Sequence, residues 1–168
     1  DTAMGFGSTL SLKLLAEKTG ALDIETLTSL IDRTTSITHA DGTGANQATI
    51  LWSDTRTLTT GATESLDLSG TALTDAFGAA VALTSIKGIV LYSSTANTTN
   101  LTIGNVANGL ATIFGAATQS LTLHPGELLV KWTPLAAGYV VTAGTADLLK
   151  VAKAAGASAI YDIIIVGN

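Results

Sequence analysis

Residues 41–70 read DGTGANQATILWSDTRTLTTGATESLDLSG, and this stretch decides the fold. Gly42 and Gly44 bracket a small polar loop. Beyond it Ile50, Trp52, Leu58, Leu66 and Leu68 are set among Thr and Ser, the period-2 pattern of a half-buried sheet with short connections. The stretch is expected to supply one loop and two strands of a sandwich, with Trp52 inward and the Thr and Ser side chains facing water or a neighbour.

Upstream, Leu10, Leu12 and Leu14 alternate with Ser11 and Lys13 in TLSLKLLAEK, which reads as a strand. The following GALDIETLTSLIDR offers Asp23 as an N-cap and places Leu27, Leu30 and Ile31 at helical spacing from Ile24, so a short helix is expected there. Residues 1–34 are therefore assigned to an N-terminal arm containing a short helix, and residues 35–168 to a β-sandwich domain.

Downstream, VALTSIKGIVLYS (81–93) is the most apolar strand, and Gly88 within it marks a bulge or a close-approach point. Turn signals then recur at the spacing expected of sandwiches and barrels. Further strands are read at NLTIGN, around Ile113 between Gly109 and Gly115, and at 139–142, 147–151 and 159–166. Residues 119–123 and 127–132 read as the two arms of a hairpin about His124-Pro125-Gly126. About ten short strands are natural for two packed sheets. The expected fold is all-β, a two-sheet sandwich that is jelly-roll-like, with an up-and-down barrel as the alternative.

A chain of 168 residues fits one domain able to bury its own core, and the absence of cysteine excludes disulfides and thiolate chemistry. A net charge of −5 with scattered basic residues argues against a nucleic-acid surface. Only 12% of residues are charged while 46% are hydrophobic, so short neutral side chains must form much of the surface. Such a surface loses little hydration when covered, which suits a homo-oligomer. No run approaches the length of a membrane helix, and DTAMGFGSTL lacks the basic and apolar regions of a signal peptide.

Candidates for chemistry are few. His39 and His124 have no metal-ligand spacing and read as turn residues. Asp54 and Asp67 could pair as glycosidase carboxylates, but Arg56 shares a face with Asp54, and both read as surface sheet positions. Gly42-Thr43-Gly44 fails the dinucleotide and Walker templates, leaving turn geometry or a loosely held cation at Asp41 and Asn46. Asn97 and Asn100 each begin a glycosylation sequon, which matters only in a secretory host. Trp52, Trp132, Tyr92, Tyr139 and Tyr161 could form a sugar platform but suit packing better. No catalytic, cofactor-binding or metal residue is assigned, and no cofactor is expected.

The phrases from DGTGANQ to TDAFG, the Lys87 strand, the Asn97–Asn100 loop, LHPGELL and the ending TAGTADLLKVAKAAGASAIYDIIIVG resemble small virion structural proteins of tailed bacteriophages, over roughly residues 38–167. The resemblance implies a non-enzymatic decoration or cement protein that bridges subunits of the major capsid protein. It implies a cyclic oligomer, a trimer first, located in the virion without direct contact to nucleic acid or membrane. A head-tail adaptor, a tail component or a glycan-binding module is the alternative.

Overall fold

A computed structural model describes residues 5–168. Its elements are β1 (Gly7–Ala21), β2 (Thr26–Asp41), β3 (Gln47–Ala48), β4 (Ile50–Leu58), β5 (Thr63–Asp67), β6 (Ser85–Ser93), β7 (Leu101–Gly104), α1 (Ala111–Phe114), β8 (Ser120–Leu123), β9 (Leu128–Trp132), β10 (Tyr139–Val140), β11 (Leu148–Lys153) and β12 (Ala159–Gly167). The protein is all-β, as the alternation requires.

Strands β4 to β12 build the body. Their pairings nest: β4 with β12, β5 with β11, β6 with β9, and β7 with β8, all antiparallel. A long hairpin rolled on itself produces that nesting, and cross-pairs β6–β12 and β7–β11 close it into two sheets. One sheet runs β9-β6-β12-β4, with the short β10 beside the start of β6, and the other runs β5-β11-β7-β8. This strand order is that of a jelly roll.

The two inner faces share one core. Along β12 Ala159, Tyr161, Ile163 and Ile165 are buried, while Ile160, Asp162 and Ile164 on the other face are exposed. Trp52 and Leu58 of β4 join them, and Leu66, Leu101, Ile103, Leu123, Leu149 and Val151 come from the second sheet. Each fully buried Leu or Ile contributes about 1.5–3 kcal/mol.

Gly88 serves both purposes anticipated for it. Val166 pairs with Gly88 and Gly167 with Ile86, so Lys87 is the extra residue of a β-bulge. A Cβ on Gly88 would lie 2.3 Å from the ring of its cross-strand partner Trp132, so only glycine lets that ring lie flat on β6.

The arm differs from expectation in its middle. Segment 23–33 is not a helix: residues 22–25 form a turn and β2 occupies the rest, paired with β1 without a break from Gly7↔Ala40 to Ala21↔Thr26. The apolar spacing fits a helix, but Thr26, Thr28, Ile31, Thr34 and Thr35 are β-branched, which disfavours it. A helix of this length would be marginal alone, whereas β1 offers a full ladder of backbone partners. β2 runs through the 34/35 boundary and meets the body near His39, where β3 pairs with it in parallel.

The short helix lies at α1, where a strand around Ile113 was expected. Leu110 and Ile113 are both buried three residues apart, and Gly115 at φ 94° ends the turn. The His124-Pro125-Gly126 turn is not a hairpin within one sheet either. β8 pairs with β7 and β9 with β6, so the turn carries the chain from one sheet to the other.

Candidate functional site

Three groups of polar side chains are built into the body. The first spans the open side between edge strands β4 and β5. Asp54 and Arg56 share the parity of Trp52 and Leu58, so they face inward at the rim rather than outward as expected. Arg56 Nη1 donates to Asp54 Oδ2 at 2.9 Å, Nε donates to Glu64 Oε2 at 3.0 Å, and Nη2 donates to the same oxygen. The buried Tyr161 hydroxyl donates to Glu64 Oε1.

Protonation follows from these contacts. Burial would push the Glu64 carboxyl up, but hydrogen bonds from Arg56 and Tyr161 outweigh it and hold the group below its usual range. Burial, then the Glu64 bond, pushes Tyr161 up. Glu64 and Asp54 together push the Arg56 guanidinium up as well. The cluster is an ion-paired clasp between the two sheets.

Asp67 lies elsewhere. On the second sheet, its Oδ1 accepts the backbone N–H groups of Ser69 at 3.1 Å and Gly70 at 2.8 Å, capping the turn after β5. Ser69 Oγ donates to the buried Asp147 at 2.8 Å, tying that turn to the 142–147 loop. Asp54 and Asp67 thus sit on different sheets with separate partners.

The second group joins arm to body. His39 is fully buried; its Nε2 lies 2.9 Å from the Thr133 carbonyl and its Nδ1 3.3 Å from Ser8 Oγ. Its ring stacks on Trp132 with centroids 5.5 Å apart. The 41–47 loop closes beside it. Gly42 has φ 128°, Gln47 Oε1 accepts Gly44 N–H at 2.8 Å, and Asn46 N–H donates to the Pro134 carbonyl at 2.8 Å. Lys87 is buried beneath the 133–138 loop, with Nζ donating to the carbonyls of Leu135 (2.9 Å) and Ala136. Desolvation pushes its ammonium down.

The third group fixes loop 93–100. Asn97 is buried, donates to Ser93 Oγ and the Ile160 carbonyl, and accepts the Ile160 N–H. A glycan cannot be attached to that amide in the folded chain; Asn100 is exposed. His124 is exposed, 3.1 Å from Glu127, whose carboxylate is held down first by the His124 backbone N–H. Of the aromatics, Trp52 and Tyr161 are buried in the core, while Tyr92 and Tyr139 are half-buried.

Among the described residues no cluster of three His, Asp or Glu side chains is placed to hold a metal ion. The sequence candidates are dispersed, and the residues that cooperate, Glu64 with Tyr161 and Lys87 with the 133–138 loop, were not singled out by motif. Parity with Trp52 was the one signal that could have placed Asp54 and Arg56 on the inner side. Comparisons with protein-family models, with curated proteins and with solved structures return no match for this chain.

Proposed function

We propose that the chain is a structural protein of a phage virion, a decoration or cement protein that oligomerises and bridges subunits of the major capsid protein. The role is mechanical rather than catalytic. The observation that carries it is the arm: eight large apolar side chains between Leu12 and Ile31 are at least half exposed on a two-stranded ribbon outside the core. A lone hairpin is marginal in water, so a ribbon this long and apolar is suited to burial in an assembly.

Further support is indirect. The virion setting comes from the phrases of residues 41–70, LHPGELL and the carboxyl-terminal segment, and the jelly roll is a fold that viral capsid proteins use. The carboxylates weighed for hydrolysis hold an ion pair and a turn. Bridging adds binding free energy to the closed shell and raises the barrier to its opening. Heating particles with and without the protein tests the reading: release of DNA at a lower temperature without it is expected, and equal release overturns cementing.

A further inference from the structure

The arm has two unlike faces. Register places Leu10 opposite Ile37, Leu12 opposite Thr35, Leu14 opposite Arg33, Ala16 opposite Ile31 and Gly20 opposite Leu27 on one face. The other face pairs Thr9 with Thr38, Ser11 with Ser36 and Thr19 with Thr28, carries the Lys13–Asp32 ion pair at 3.2 Å and Glu17, and has Leu15 and Leu30 as its large apolar side chains. The apolar face has only two charges, Lys18 and Arg33, both cationic.

The body has two unlike faces too. Outside the β5-β11-β7-β8 sheet stand Ser65, Lys150, Thr102 and Thr122, an ordinary polar exterior. Outside the other sheet stand Leu51, Leu128, Ile160 and Ile164, all exposed, with Val90 and Val130 half-buried between them. The charge amid this patch is Asp162, whose Oδ1 accepts the Thr55 hydroxyl at 2.7 Å. Antiparallel sheets that face water normally turn polar residues outward. This one does so only in part.

Size, sign and continuity all fit these two faces to each other. Fifteen residues at about 3.4 Å each give a ribbon of about 50 Å, longer than the roughly 35 Å body expected from a domain of this size. Over the roughly 35 Å of body it can cross, a ribbon face about 10 Å wide covers about 350 Å² per partner, about 700 Å² in total for one contact, and each subunit of a closed ring makes two such contacts. Cations on the arm meet an anion on the sheet. At its base the same arm face already lies on the outside of its own β6–β9 pair, through His39 stacked on Trp132. Its distal leucines remain exposed, so its own body does not cover them.

We propose that the Leu12, Leu14 and Ile31 face of the arm lies across the outer face of the β9-β6-β12-β4 sheet of a second copy of this chain. The interface is heterologous, arm to sheet, and such interfaces close into rings when the rotation permits. The virion reading is not needed for it. An oligomer built this way that leaves particle heating unchanged would remove that reading and keep this one.

A chain without cysteine makes the test direct. Leu14→Cys and Ile164→Cys, both exposed positions, are made in separate full-length chains and mixed with a short bis-maleimide. A cross-linked mixed dimer is expected, together with a multimeric mass by light scattering for the unsubstituted chain. The double variant L14D/I31D should then run at the mass of one chain with an unchanged circular dichroism spectrum. A monomeric unsubstituted chain overturns the proposal. So does cross-linking of Leu14→Cys only to itself, which would mean arm against arm, and so does an oligomer with no mixed product.

Discussion

The arm strands β1 and β2 and the body strands β4 and β12 carry leucine and isoleucine in similar period-2 arrangements, yet their environments are opposite. Ile163 and Ile165 are wholly buried, whereas Leu14 is 59% exposed and Leu15 60%. Secondary structure is thus common to both regions, and layering is not. In the body a second sheet lies about 10 Å away and covers one face. In the arm, two strands stand without a second layer and both edges lack a partner along most of their length. The body buries its apolar side chains internally, while those of the arm remain exposed.

The sharpest test of the contrast is one truncation in each region. Ile163→Ala should lower the unfolding free energy by about 2–5 kcal/mol, read from urea denaturation. A loss below about 1 kcal/mol would mean the two inner faces are not packed as described. An intermediate effect belongs to the ion-paired clasp between β4 and β5. Glu64→Gln removes one of the two carboxylates that partner Arg56, leaving Asp54, and should cost about 1–2 kcal/mol near neutral pH, because the pair is partly wet.

The pH dependence gives the sign. The Glu64 carboxyl is held below its unfolded value of about 4.3, so its contribution is complete above that pH and is lost as pH falls through the lowered folded value. The acid limb of stability should therefore flatten in Glu64→Gln; an unaltered limb would show that the clasp is not formed. The smallest effect is expected at the arm. Leu14→Ser should change the unfolding free energy of the body by no more than about 0.5 kcal/mol. A larger loss in dilute solution would place the arm against its own body and erase the distinction.

Much of the fold was legible because two-residue periodicity is a local property. Trp52, Leu66 and Leu68 announced inward positions, and Gly88 announced close approach because no side chain fits beneath Trp132. Ile24, Leu27, Leu30 and Ile31 misled because their spacing fits a helix, whereas in the ribbon Leu27 and Ile31 lie on one face, Leu30 on the other and Ile24 in the turn. What decides for strand is the ladder of backbone partners that β1 supplies. His124-Pro125-Gly126 was rightly a turn, but a turn within one sheet and a turn between sheets use the same residues. Polar positions were hardest to place. Asp54 lies inward by parity with Trp52 and is paired there with Arg56, which also reaches Glu64 eight residues on, and a contact between two strands leaves no motif.

What the amino-acid sequence by itself determined was class and character: an all-β chain, cysteine-free, sparsely charged, with short connections and enough alternation to form two faces. Those follow from side-chain size, branching and polarity, which act over a few residues. Only the tertiary structure decided which alternating strands acquire a second layer, and so which of two similar patterns became core and which became an exposed arm. The physical reason is that burial is a property of what lies opposite a strand, and the nested pairings β4–β12 through β7–β8 are spread over more than a hundred residues of chain.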